Sequence, residues 1–193
     1  MNKKIYILSS VLLLTVLSAC STTSQQGRQI ESFSFTDQHG QTFGSEQLAG
    51  KVWIANFIFT NCETVCPPMT MEMAALQKKL AEKSIEVEFV SFTVDPQVDS
   101  PEVLQTYIRQ FTDDVSNWHL LTGYPQDEIE SFAREQFQTI IHKPDSSDQV
   151  IHGTNFYLVN QQGHVVKEVN YVEPSYADDL MKDIRKLVNG TPF

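Results

Sequence analysis

The chain has 193 residues, 41% of them hydrophobic, and a formal net charge of −10. That length and apolar content fit one compact domain with its own core plus short extra segments, and exclude a disordered chain. So acidic a surface argues against nucleic acid and against anionic lipid headgroups as partners, while leaving room for a basic protein partner.

Lys3-Lys4 followed by the apolar run Ile5–Leu17 reads as an export signal; the run is short for a membrane span and contains Ser9, Ser10 and Thr15. It ends in Leu17-Ser18-Ala19-Cys20, small residues ahead of a cysteine, which resembles the bacterial lipobox. The plain alternative is an ordinary signal cleaved nearby. The lipobox predicts a signal peptide over 1–19 and lipidation of Cys20, with palmitate as an acyl chain. It also predicts anchoring in the lipid bilayer at the outer face of the bacterial cell membrane. Removal of Lys3 and Lys4 with the signal takes the net charge from −10 to −12. Residues 20–29 are polar and aperiodic and read as a flexible tether, so the folded domain is expected over 30–193.

Phe33–Thr36 and Gln41–Phe43 flank Asp37-Gln38-His39-Gly40, an N-terminal β-hairpin signal. Val52–Phe59 is rich in β-branched and aromatic residues and long enough for a buried strand. Met69, Met73, Leu76 and Leu80 then recur at helical spacing, with Pro67 and Pro68 in the first turn. Val87–Val94 predicts a second strand, broken by Asp95-Pro96. Ser100 and Pro101 suit the N-cap and first position of a helix whose face carries Val103, Leu104, Tyr107, Ile108 and Phe111. Trp118–Leu121 predicts a short strand. Ile129, Phe132, Ala133 and Phe137 predict a helix from near Pro125, and 140–149 a loop. Phe156–Val159 and Val165–Val169 flank a second hairpin turn, Gln161–His164. Leu180, Met181, Ile184, Leu187 and Val188 close the chain as a helix stopping at Gly190.

That order of elements implies a mixed α/β fold with a partly parallel central sheet and helices on both faces. Cys62 and Cys66 lie where its first long strand hands over to a helix. A helix N-terminus favours negative charge, and a thiol placed there tends toward thiolate, the form that attacks disulfides and binds soft metals. In an exported domain the pair is open to oxidation to a Cys62–Cys66 disulfide unless reduced or protected by metal. So small a loop would restrict the unfolded chain little, which makes stability a weak reason for a bridge.

Cysteines at the first strand–helix junction resemble the thioredoxin fold, with departures. The spacing is Cys-x-x-x-Cys, which puts both residues on one helical face with Cα atoms roughly 6 Å apart, within disulfide reach. Thioredoxin-like enzymes carry a cis-proline before the strand facing the cysteines; Val150–Phe156 has no proline and offers His152 instead. Two thiolates and one imidazole from two loops make a three-ligand soft-metal site. A structural zinc normally takes four protein ligands, whereas this donor set suits copper, as Cu(I) or Cu(II).

The combination of Cys62-Glu63-Thr64-Val65-Cys66-Pro67, Val90–Pro96 with Asp99-Ser100-Pro101-Glu102, and His152 before Phe156–Val159 resembles the Sco/SenC family over roughly 30–188. The resemblance implies a membrane-anchored thioredoxin-fold protein with copper ligands at Cys62, Cys66 and His152. It further implies a role in assembling the binuclear copper centre of cytochrome c oxidase, whose copper-centre subunit is then the expected partner.

Competing readings stand beside these. His152 could be an ordinary polar residue at a strand edge, and His142 is its main rival as a ligand. His39 and His164 read as solvent-facing turn residues, His119 as part of a short strand. Met69 and Met73 fit the apolar stripe of their helix better than a thioether site. Asp95 resembles a family position near the site but is equally a turn former. The chain is expected to assemble copper sites without turnover of its own. The functional alternative is a thiol-disulfide oxidoreductase that reduces the oxidase's copper-ligand cysteines and needs no His152. A peroxidase of the peroxiredoxin type fits poorly, since Thr60 is only two residues before Cys62.

Overall fold

A computed structural model describes residues 27–144 and 146–190. A six-stranded sheet contains β1 (Arg28–Gln29), β4 (Trp53–Ile58), β5 (Glu88–Thr93), β6 (Trp118–Leu121), β7 (Asn155–Val159) and β8 (His164–Asn170), in the order β1-β8-β7-β4-β5-β6. β4, β5 and β6 run parallel; β7 is antiparallel to β4, β8 to β7 and β1 to β8. The N-terminal hairpin, β2 (Ser34–Thr36) and β3 (Thr42–Gly44), forms a separate two-stranded sheet bridged to Thr122 at the end of β6 by Thr36. Its turn is fixed by the Asp37 carboxylate, which accepts from the backbone N–H groups of His39 and Gln41 at 2.9 Å each. Gly40 supplies the positive φ, 71°, that closes the turn.

The helices are α1 (Ser45–Leu48), α2 (Cys66–Ala81), α3 (Pro101–Ile108), α4 (Gln126–Phe137) and α5 (Tyr176–Val188). All six residues of β4 are buried, as a strand with both faces covered requires. Phe57, Phe92, Phe137 and Tyr157 pack with ring centroids 5.1–6.1 Å apart on one face of the sheet. α2 buries Met69, Met73, Leu76 and Leu80, each side chain contributing about 2 kcal/mol of transfer free energy. Both methionines are thus core residues, as their spacing predicts.

Several expectations change. Arg28 and Gln29, expected within the tether, belong to the sheet instead: Arg28 pairs with Val165 and Gln29 with His164, while residues 20–26 lie outside the described residues. A Cβ at Gly27 would lie 1.9 Å from the Val165 carbonyl oxygen, so glycine lets the chain approach β8 this closely. α1 is an unpredicted short helix. His164 is buried in β8, not solvent-facing, at the position where Gln29 of β1 pairs with it; His39 is exposed. In α3, Val103 is 38% exposed, and Phe111 lies past the helix end. Ser100 caps α3 as expected, its hydroxyl accepting from the Val103 N–H.

Candidate metal centre

α2 begins in a way that explains what holds Cys62. Its N-cap, Val65, has no side chain to satisfy the first N–H groups, and Pro67 and Pro68 carry none. The remaining first-turn donor, the Cys66 N–H, points at the Cys62 sulfur, 3.3 Å away. Sulfur therefore caps the helix, and the positive end of the helix dipole falls on it.

His152 arrives from the loop before β7. Its Nδ1 lies 2.8 Å from the Gly153 carbonyl; an N–H donated there leaves the Nε2 lone pair free. Nε2 faces the Cys66 sulfur at 3.2 Å, and the edge of Phe59 meets the imidazole ring, with centroids 5.6 Å apart. The two sulfurs and the imidazole nitrogen all lie within 4.8 Å of one another; among the described residues no other group of His, Cys, Asp and Glu converges in this way.

Both cysteines are buried free thiols here. The hydrogen bond from the Cys66 thiol draws the Cys62 pKa far below its ordinary value against the opposing effect of burial, with the Cys66 N–H adding to it. Cys66 is pushed up by the Cys62 sulfur beside it and by its own burial. Of the reduced pair, Cys62 is thus the sulfur held toward thiolate and Cys66 the one held toward thiol. Two soft sulfur donors and a free imidazole nitrogen, largely shielded from water, fit a soft metal ion of low coordination number.

Behind Cys62 stands a support that sequence reasoning missed. Asp99 is fully buried and accepts from the Thr60 N–H at 3.2 Å, from the Thr60 hydroxyl and from the Thr93 hydroxyl. It ties the ends of β4 and β5 together two residues before Cys62. Burial raises its pKa despite these donors. In the sequence it stood within the Asp99-Ser100-Pro101-Glu102 stretch of the family resemblance, with no role of its own assigned to it.

The rival residues fall elsewhere. His142 is exposed and meets Ile151 only through a backbone bridge, outside the converging group. Asp95 is buried and ion-paired with Lys143 Nζ at 2.6 Å, and its carbonyl accepts from the Val98 and Asp99 N–H groups: a turn, and no part of the converging group. His119 sits on β6, as expected. Cys20 lies outside the described residues. Among those residues no helix is long and apolar enough to cross a membrane.

Fold and site together define a thioredoxin-like protein with a paired-cysteine, histidine centre at its first strand–helix junction. A family model described as SCO1/SenC matches residues 21–189, and the chain belongs to that family. It is similar in structure to a SCO1/SenC family lipoprotein from Bacillus anthracis, with 48% identity, a TM-score of 0.81, and 83% of this chain and 95% of that one covered. A TM-score of 0.77 relates it to BsSco, described as a member of the Sco family of cytochrome c oxidase assembly proteins in which a disulfide switch was identified; identity is 46%, over 84% of this chain and 94% of that one. The copper-bound ScoI of Arabidopsis thaliana is 28% identical, with a TM-score of 0.69 over 81% of this chain and 98% of that one.

Proposed function

We propose that this protein binds copper through Cys62 Sγ, Cys66 Sγ and His152 Nε2 and serves assembly of cytochrome c oxidase, delivering copper to the subunit that holds the binuclear copper centre. The observation that carries the reading is the convergence of three soft-metal donors within 4.8 Å. Family membership and the copper-bound relative support the choice of metal. Here copper is cargo. The chain's own contribution is to present one preformed thiolate, to release the Cys66 proton on binding, and to hold the imidazole tautomer through Gly153.

A copper titration of the reduced protein, followed by absorption and EPR, tests it. Thiolate-to-Cu(II) charge transfer that His152→Ala alters and His142→Ala leaves unchanged is the expected result. Binding no tighter than to a variant without both thiols would sink the proposal.

A second reading rests on the Cys62 sulfur, which accepts from the Cys66 N–H at the start of α2 and is thereby favoured as thiolate, the nucleophile a disulfide reductase needs. Cys62 thiolate would attack a target disulfide, releasing one target thiolate and forming a mixed disulfide. Cys66, once deprotonated, would attack the Cys62 sulfur and release the second target thiol. The target gains two electrons and the pair ends as a Cys62–Cys66 disulfide. Retention of target reduction in His152→Ala, alongside loss of copper binding, would favour this role.

The lipobox at Cys20 and the description of a 48%-identical relative as a lipoprotein support a signal over 1–19 and a lipid anchor at the outer face of the cell membrane. A mass increase confined to the N-terminal peptide, abolished by Cys20→Ser, is the expected outcome of mass spectrometry on the membrane fraction.

A further inference from the structure

Net charge argues against any contact with an anionic surface, yet the positive charges are unevenly placed. Of the fourteen Lys and Arg, two lie in the signal; of the rest, Lys78, Lys79, Lys83, Lys182, Arg185 and Lys186 all fall on α5 or on the end of α2 and the turn after it. Elsewhere Lys51, Lys143 and Lys167 are ion-paired to Glu88, Asp95 and Asp183, and Arg28 donates to the Gln136 carbonyl. Lys79, Lys83, Lys182 and Arg185 are exposed and line one shallow cleft between the helices, with Met181 and Asp178. Glu82 and Glu86 are the nearby acids in the α2 turn. Four cations thus converge where the rest of the domain is strongly negative.

The cleft lies far from the thiols. Lys79 follows Cys66 by thirteen positions along one helix, a rise of about 20 Å. The chain enters the fold along the edge of β8, the strand that α5 packs against, with Arg28 and Glu31 bonded to Gln136 of α4. Gly27 abuts Val165 and Val166 of β8, and Lys167 of that strand is bonded to Asp183 of α5 at 2.7 Å, between Lys182 and Arg185. Residues 20–26, between Cys20 and the domain, span at most about 25 Å. A bilayer holding Cys20 therefore lies within reach of this face.

We propose that the face bearing Lys79, Lys83, Lys182 and Arg185 binds anionic lipid headgroups and lays this end of the domain on the bilayer. The thiols are thereby turned toward a partner. Attraction at this end and repulsion of the acidic remainder act in the same rotational sense, so a modest patch suffices to orient the molecule. The proposal uses the Cys20 anchor to say which surface is near; the headgroup contact itself can be tested without it.

The test uses the mature chain with Cys20→Ser, which keeps the whole folded domain. It is co-sedimented with vesicles of phosphatidylcholine alone or mixed with phosphatidylglycerol. Expected are binding only to the phosphatidylglycerol vesicles, loss on raising salt, and a decrease of roughly tenfold or more in Lys79→Gln/Lys83→Gln. The same decrease is expected in Lys182→Gln/Arg185→Gln. Arg109→Gln/Arg134→Gln, which removes the same charge elsewhere on the surface, should bind like the parent. Binding that falls equally in that control, or no binding to phosphatidylglycerol, overturns the proposal. Melting temperature and copper absorption, measured on every variant, report that the fold and the distant site are intact. Absence of lipid on the wild-type Cys20 would remove the anchor without touching this result.

Discussion

His152 and His119 are both partly shielded imidazoles beside potential anions, and only one of them converges with two further soft donors. His152 has a carbonyl to fix one nitrogen and a thiol sulfur before the other. His119 lies face-on to Phe43, with centroids 3.6 Å apart, between Asp37 and Glu88, whose oxygens stand 3.7 and 3.8 Å from its nitrogens. Those distances are too long for hydrogen bonds, and Nδ1 is buried without a partner. Proximity to negative groups is common to both; a defined tautomer and an aimed lone pair belong to His152 alone. The comparison teaches that the second nitrogen decides what the first can do.

The sharpest way to break that contrast is to remove the sulfurs. Cys62→Ser/Cys66→Ser should weaken copper binding by roughly ten-thousandfold or more, at about 3 kcal/mol for each soft ligand lost. Competition with a chelator of known affinity measures it. If the double variant binds copper like the parent, the metal sits elsewhere.

His152→Ala should lower copper affinity by roughly a hundredfold and alter the charge-transfer band while leaving both thiols titratable by Ellman's reagent. His119→Gln should change neither. Equal effects of the two variants would mean that the aimed nitrogen has no special role.

Asp99 separates support from ligation. Asp99→Ala strands the Thr60 N–H and two threonine hydroxyls in the interior and should cost about 3 kcal/mol of stability in urea unfolding. Asp99 is not in the donor group, so copper should still bind the folded variant, and the band should move less than in His152→Ala.

The sequence displayed the chemistry of the site better than its support. Cys62, Cys66 and His152 are scarce residue types at telling positions, and the strand–turn–helix pattern around the cysteines is strongly periodic. Elements decided by tertiary pairing left no such trace. Arg28 and Gln29 have neither β-branching nor alternation, and become a strand because the edge of β8 is open to them. Asp99 looks like the residue before a helix cap; only the convergence of β4 and β5 makes it a clamp. His164 follows a turn glycine, and nothing local reveals that β1 pairs beside it and that it is buried. The cationic cleft was hidden for the same reason, since residues a hundred positions apart supply it.

The smallest effect concerns acid. Burial lowers the His119 pKa, outweighing the pull of Glu88 and Asp37 in the other direction. The folded chain therefore binds this proton less readily than the unfolded chain, whose histidines titrate near about 6.5. Unfolded protein takes up more protons as pH falls below that value, so the stability supplied by neutral His119 is present above it and is lost on acidification toward the lower folded pKa. His119→Gln removes the titration and should flatten the fall in urea midpoint of the reduced, metal-free protein between neutral and mildly acidic pH. A slope steeper in His119→Gln than in the parent would mean that the two carboxylates, and not burial, govern this imidazole.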